Sequence, residues 1–272
     1  MNKDHKKAII VSVSSDIGTA MAQRWLERGW HIFGTYRTSS ASVTNLSDSG
    51  IQLIHCDLSK PESIRNACNE IKKKCDSWDV LVLCPGSLDP IGAFDACVFD
   101  EWEDSIYLNF TSQLRIVHEL LQYRNTSSSI EPCVLFFAGG GTNNAVVNYS
   151  AYTISKIALI KMCELLDAEI QDTRFAILGP GWVKTKIHES TIAAGKKAGD
   201  NYKRTKNKLK SNECTPMEDV LKCCDWIINS SRNIVSGRNF SVVYDEWGSE
   251  DLENKLISDT NMYKLRRYGN DF

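Results

Sequence analysis

The chain has 272 residues, 42% of them hydrophobic and 24% charged, enough to bury one large core or at most two small ones. A formal net charge of −2 argues against nucleic acid as a bulk electrostatic partner. Its ten cysteines are scattered, with no Cys-x-x-Cys pair, so reduced structural thiols are the better reading than zinc ligands or disulfides, and no metal is expected.

In chain order, residues 1–7 are polar and basic, and the apolar run 8–13 is too short for a signal peptide or a membrane span. No later stretch reaches spanning length, and a soluble, cytoplasmic protein is expected. Apolar runs of strand length fall at 8–13, 31–36, 51–56, 80–84, 133–138, 174–178 and 240–244. Helical patterns fill the intervals at 18–28, 61–75, 102–121, 149–170 and 216–229. That alternation predicts an α/β fold: a doubly wound parallel sheet of about seven strands with helices on both faces. Ser59 before Pro61 and Glu62, and Thr215 before Pro216 and Glu218, predict hydroxyl-capped helix starts with capping boxes. The stretch 185–214 is read as irregular and too long for an ordinary connection, which predicts a lid or binding segment. The tail 249–272 is polar, and no boundary divides the chain, so a single domain over 1–272 is expected.

Tyr152 and Lys156 stand four apart in the predicted helix 149–170, hence on one face. A phenol ordinarily titrates near about 10 and carries protons poorly at neutral pH. A neighbouring ammonium favours the phenolate, which would make Tyr152 usable as a general acid or base. Such pairs also arise by chance in helices, so the rest of the chain decides their meaning. The turn Ser12, Ser14, Ser15, Asp16, Ile17, Gly18 joins the first strand to the first helix, where a dinucleotide pyrophosphate would meet a helix N-terminus.

Together these segments resemble the short-chain dehydrogenase/reductase family. Its Gly-x-x-x-Gly-x-Gly turn is matched with Ser12 and Asp16 in place of the first two glycines and Gly18 as the third. The resemblance implies a Rossmann-type fold and a nicotinamide dinucleotide held by Ser12, Ser14, Ser15, Asp16, Ile17 and Gly18. Asp16 tolerates left-handed backbone and is expected to hold the turn, Ser12 being the more awkward departure. Tyr36 stands where NAD-binding sheets place an acid, and Arg37 follows it, so NADP(H) is expected over NAD(H). Asp57 and Leu58 match the dipeptide after the third strand, whose Asp meets the adenine amine. Cys84, Pro85 and Gly86 stand at the family's Asn-Ala-Gly turn beside the cofactor. Asn109 matches the Asn that bends the fourth helix and anchors a water-linked proton relay to the Lys. Pro180, Gly181, Val183 and Thr185 match the segment whose Thr contacts the nicotinamide carboxamide. The implied mechanism passes hydride between nicotinamide and a substrate carbonyl carbon while Tyr152 exchanges the oxygen's proton. Lys156 would tune the phenol and hold the ribose hydroxyls, with Asn109 positioning the relay water. A homodimer or homotetramer through the helices bearing Asn109 and Tyr152 is likewise implied.

One element is missing. The family places a Ser thirteen or fourteen residues before its Tyr, and here those positions are Gly139 and Ala138. Losing one aimed donor to a developing oxyanion typically costs about 3–4 kcal/mol. Thr142, Asn143 or Asn144 could supply it, Tyr152 or the lid could act without it, or turnover is lost. The last reading leaves a nucleotide-binding sensor or interaction protein. Residues 184–210 carry nine Lys and Arg against Glu189 and Asp200. A cationic cover predicts an anionic substrate, such as a sugar phosphate or nucleotide-linked sugar. Its alternatives are a solvated helix face or help with the cofactor phosphates. The texture of the C-terminal third resembles a bacterial branch associated with surface-carbohydrate and flagellin-glycan pathways.

Overall fold

The computed structural model describes residues 5–211 and 213–268. Its first half runs β1 (Lys7–Val11), α1 (Asp16–Glu27), β2 (His31–Tyr36), α2 (Ala41–Asp48), β3 (Gln52–His55), α3 (Pro61–Lys74) and β4 (Val80–Leu83). Then follow α4 (Phe99–Ile106), a π-helical turn (Tyr107–Thr111), α5 (Ser112–Leu120), β5 (Cys133–Phe137), α6 (Ser150–Glu169) and β6 (Arg174–Gly179). The chain continues through α7 (His188–Ala194), α8 (Asp200–Lys210), α9 (Met217–Asn229), α10 (Arg232–Val235), β7 (Arg238–Ser241) and α11 (Glu250–Ser258).

The strands form one sheet in the order β3-β2-β1-β4-β5-β6-β7, every pairing parallel. Strands buried on both faces read as unbroken apolar runs, as in Val-Leu-Val-Leu of β4 and Cys-Val-Leu-Phe-Phe of β5. Successive side chains feed opposite layers. Ala8 and Ile10 pack with Trp25 of α1 and Ile227 of α9, while Ile9 and Val11 pack with Ile71 of α3 and Leu159 of α6. Each such aliphatic side chain contributes about 1.5–3 kcal/mol by leaving water. Arg174, 2% exposed, donates to the carbonyls of Ile227, Ile228 and Ser230, binding β6 to the end of α9 where a cation suits the helix dipole. The order reverses between β1 and β4, so the crevice at their carboxyl ends is where a ligand belongs in such a sheet.

Several expectations are corrected. α2 was not predicted; it buries only Val43 and Leu46 and starts on the Ser40 hydroxyl. The continuous helix expected over 102–121 is broken by the π-helical turn, with Asn109 at its middle. Neither capping box forms. Lys60 and Pro216 take the cap positions without side-chain bonds, and Ser59 instead donates to Asp57. The stretch 185–214, read as irregular, contains α7, α8 and the 3₁₀ turn Gly195–Ala198 between them. In the tail, α11 packs Leu252 and Leu256 into the core.

Candidate active site

Of the glycine-turn residues it is Ser12, not Asp16, that adopts left-handed backbone, with φ of 59°. That geometry costs an L-residue about 1–2 kcal/mol. It is held by the Ser12 amide donating to Thr35 Oγ1 at 3.0 Å and by Ser15 N donating to Ser12 O at 3.0 Å. Gly18 is obligatory, because a Cβ there would lie 2.8 Å from both Ser12 O and Ser15 Oγ. The Ser15 hydroxyl caps α1 by accepting from Gly18 N at 3.1 Å, Ser14 is half-buried, and Ile17 packs on the core. Asp16 is the first residue of α1. Its carboxylate accepts from the Lys186 amide at 2.7 Å, with Lys186 Nζ 3.8 Å away. An acid is well placed at a helix N-terminus, yet here it puts a negative charge where a pyrophosphate is expected.

At the carboxyl ends of β2 and β3 an open cavity of about 680 Å³ is lined by Arg37, His55, Asp57, Lys60 and Asn66, among others. Burial raises the Asp57 carboxyl, but hydrogen bonds from the Ser59 hydroxyl and amide, with Lys60 beside it, outweigh burial and hold it below its ordinary value. Leu58 turns its side chain into the core, which leaves only its backbone for a ligand.

The second cluster lies past β4 and β5. Lys156 of α6 is 2% exposed and donates to Phe137 O at 3.0 Å and Pro85 O at 3.3 Å. Burial pushes its ammonium down to about 8. Its Nζ lies 5.7 Å from the centroid of the Tyr152 ring. Burial pushes the Tyr152 phenol up to about 12. The expected lowering of this phenol by its lysine is therefore overturned: desolvation dominates, because the ammonium bonds to carbonyls and not to the hydroxyl. Cys84 faces Lys156 with a thiol that burial raises to about 12. Gly86 faces Ile187 and Lys156, and an added Cβ would come within 3.6 Å of Ile187 Cδ1.

Asn109 is fully buried and uses its carboxamide to hold the loop after β4, accepting from Ser87 N at 2.9 Å and donating to Ser87 O at 2.9 Å. Its backbone carbonyl accepts from Gln113 Nε2 at 2.7 Å. Gln113 was missed in the sequence, although Asn109 and Gln113 repeat the i, i+4 spacing of Tyr152 and Lys156.

Gly139 explains the absent Ser. A Cβ there would sit 2.7 Å from the Tyr152 hydroxyl oxygen, so the phenol occupies the space a Ser side chain would need. Gly141 likewise makes room for Thr153, whose Cγ2 would be 2.4 Å from an added Cβ. Tyr152 opens on a cavity of about 140 Å³, which Tyr149, Thr153, Thr191, Asn201 and Thr205 also line. Thr142, Asn143 and Asn144 are absent from that lining, and both asparagines are exposed. Within it the Tyr149 and Thr191 hydroxyls are 2.9 Å apart and buried. Tyr149, the cap residue just before α6, was also missed, because non-helical backbone at that position brings it to the cavity.

After β6, Pro180 is half-buried and Gly181 has φ of 73°; a Cβ on Gly181 would meet Thr215 Oγ1 at 2.4 Å. Val183 is buried, and its carbonyl accepts from His188 Nε2 at 2.8 Å and, at 3.5 Å, from Thr185 Oγ1. His188 stacks on Trp182 at 4.0 Å and packs within the segment after β6. The basic residues Lys196, Lys197, Lys203, Arg204, Lys206 and Lys210 are exposed, and among the described residues no Lys or Arg lines the cavity beside Tyr152. Among the described residues no His, Cys, Asp and Glu cluster could hold a metal, and no helix is long and apolar enough to cross a membrane.

The Ser12–Gly18 turn, the cavity beside Arg37 and the Lys156–Tyr152 cluster thus share the carboxyl edge of one parallel sheet, an arrangement that fits a nicotinamide dinucleotide in all but the Asp16 charge. Comparison with known proteins agrees. Residues 11–243 match the family model described as enoyl-(acyl carrier protein) reductase. A 3-oxoacyl-(acyl-carrier-protein) reductase of Buchnera aphidicola is 24% identical over 252 residues, 89% of this chain and 97% of that protein. A short chain dehydrogenase of Aspergillus terreus is 24% identical over 91% of this chain and 81% of its own length. Among solved structures, KRED1-Pglu superposes with a TM-score of 0.76 at 23% identity, covering 86% of this chain and 99% of that one. A single-substitution variant of actinorhodin polyketide ketoreductase with NADPH gives 0.75 at 19% identity, covering 88% and 96%. With a family model matched over most of its length and this sheet beneath it, the chain belongs to the short-chain dehydrogenase/reductase family of nicotinamide-dependent oxidoreductases.

Proposed function

We propose that the protein is an NADP(H)-dependent carbonyl reductase or alcohol dehydrogenase acting on a polar, hydroxyl-bearing metabolite such as a sugar. The observation that carries this is the Tyr152 phenol, lining a cavity at the carboxyl edge of the sheet with the Lys156 ammonium beneath its ring. When bound, the nicotinamide supplies or takes up the hydride. The protein's share is the proton. A phenol that burial keeps protonated is a general acid, able to donate to a carbonyl oxygen as negative charge develops on it. Lys156 gives that site a positive charge, which favours the phenolate left when Tyr152 donates. Ser12, Ser15 and the α1 N-terminus would hold the phosphates, and the loop 180–185 the carboxamide. Single-domain organisation over 1–272, assembly as a homodimer or homotetramer and a cytoplasmic setting belong to the same reading.

Arg37 and Lys60, both lining the cavity at the ends of β2 and β3, support NADP(H) over NAD(H), since Tyr36 stands where an acid would grip an unphosphorylated ribose. The uncharged lining of Tyr149, Thr191, Asn201 and Thr205 favours substrate hydroxyls at the reacting end. The exposed lysines of α8 would attract a remote phosphate or nucleotide from outside the cavity. A second reading, a nucleotide-binding sensor without turnover, draws on Asp16 in the phosphate seat and on Gly139. Cofactor oxidation against a panel of sugars, sugar phosphates and simple ketones, with Tyr152→Phe beside wild type, separates the two. The enzyme reading requires turnover that Tyr152→Phe lowers by about a hundredfold or more. The absence of turnover with every substrate selects the sensor, and equal rates for both proteins remove Tyr152 as the proton donor. In binding titrations Arg37→Asp should weaken NADPH more than NADH; equal weakening removes the argument for the extra phosphate.

A further inference from the structure

The wall of the cavity beside Tyr152 carries polar hydrogens that no other group of the protein accepts. Tyr149 and Thr191, 5% and 2% exposed, both line it, and their hydroxyls are 2.9 Å apart. Two hydroxyls bring two O–H donors to one shared hydrogen bond, so one donor is left over. Among the described residues neither oxygen has another partner. Thr153 lines the same cavity, and its Oγ1 is buried without a partner as well. A buried polar group left unpaired costs about 1–3 kcal/mol. Two of them in the wall of one small cavity mark a seat for a polar ligand.

Size limits what enters. Ligand pockets usually hold about 300–1,000 Å³, whereas this one holds about 140 Å³, so only the reacting end of a substrate fits. A sphere of that volume is about 6 Å across, so one small group meets Tyr152 and the hydroxyl pair together. The Tyr149 ring is fixed in a cluster with Leu88, Ile91 and Ala198. Burial raises its phenol, which keeps it a donor at neutral pH. The phenol is also the more acidic of the two hydroxyls, so the favourable chain has Thr191 donating to Tyr149 and Tyr149 donating onward. Tyr152 serves one substrate oxygen, and the pair, at another place on the wall, serves a second. We propose that Tyr149, backed by Thr191, is a specificity-determining residue that donates to an oxygen on the carbon next to the reacting one. The substrate is then a 2-hydroxy carbonyl compound; hydride at its carbonyl carbon and the Tyr152 proton at its carbonyl oxygen give the vicinal diol. The inference rests on the function proposed above for which carbon reacts, and on the cavity alone for the second oxygen.

Hydroxyacetone and 2-butanone are alike in size and differ by a hydroxyl beside the carbonyl. Their affinities are measured by ligand-observed NMR in the presence of NADP⁺, which cannot reduce a ketone, so the result stands apart from turnover. Wild type should bind hydroxyacetone about threefold to tenfold more tightly than 2-butanone. Tyr149→Phe should erase that preference and leave 2-butanone unchanged, while Thr191→Val, which spares the Tyr149 donor, should keep part of it. A pair that only clasps α7 to the start of α6 predicts equal effects of the two substitutions and no distinction between the probes. The proposal is overturned by a wild type that does not prefer hydroxyacetone, by a preference that survives Tyr149→Phe, or by equal losses in both variants. Should the Phe variant not fold, the wild-type comparison decides alone. A preference for hydroxyacetone without turnover of any substrate would refute the function proposed above and leave this inference standing.

Discussion

Replacing Lys156 by methionine should abolish turnover and yet stabilise the fold. The lysine is 2% exposed, and burial lowers its ammonium from 10.5 to about 8. Multiplying that difference by about 1.36 kcal/mol per tenfold gives roughly 3.4 kcal/mol of disfavour for keeping the charged form inside at neutral pH. Methionine fills similar space with a flexible apolar chain. It leaves Phe137 O without a donor, a loss of about 1–2 kcal/mol, while Pro85 O keeps a weak contact from Gln113. The balance is a gain of about 1.5–2.5 kcal/mol at pH 7, or a few degrees in Tm for a chain of this size. The pH dependence has a definite sign. Because the folded pKa is depressed, the lysine's stability contribution is whole above 10.5 and is lost as pH falls through about 8. The advantage of Lys156→Met is therefore greatest below about 8 and vanishes toward 10.5. Burial raises the thiols of Cys56 and Cys68 to about 12, so both proteins lose stability in alkali, but these contributions cancel in the difference; Cys84, which faces Lys156, is coupled to the replaced charge and does not cancel. Urea unfolding of both proteins across this range measures it. A methionine variant less stable at pH 7, or a difference that does not change toward alkaline pH, would refute the reasoning.

Two further outcomes are expected. Gly139→Ala and Gly139→Ser should each lower kcat/KM by about tenfold or more, because a Cβ 2.7 Å from the Tyr152 hydroxyl forces the phenol aside; a Ser variant faster than wild type would show that this space is free for the family's usual donor. Asp16→Asn removes a negative charge from the phosphate seat and should tighten NADPH about fivefold at low salt, roughly 1 kcal/mol for a partly exposed charge. Trypsin should also cut the lid faster in that variant, since the Asp16 carboxylate holds the Lys186 amide; unchanged affinity would mean that the carboxylate swings clear when the dinucleotide binds.

Some of this protein was written in short-range patterns. The seven strands were legible because burial on both faces demands unbroken apolar runs, and Tyr152 with Lys156 because helical spacing alone puts them on one face. Gly18 was legible for the same kind of reason, as its neighbours in the turn leave no room for a Cβ. The lid helices were not, since α7 and α8 bury only Thr191 and Thr205, too few apolar positions to mark a period. Ser59 and Thr215 carried local capping signals that went unused: the Ser59 hydroxyl binds Asp57, and the Thr215 amide binds the Trp182 carbonyl across the fold. The charge state of the central pair lay furthest from the sequence. Four-residue spacing predicts an ammonium lowering a phenol, whereas carbonyls from β5 and the loop after β4 take the ammonium and desolvation raises the phenol. Which residues are neighbours along a helix is set by local geometry; how much water and which distant carbonyls surround them is set only when the whole sheet has assembled.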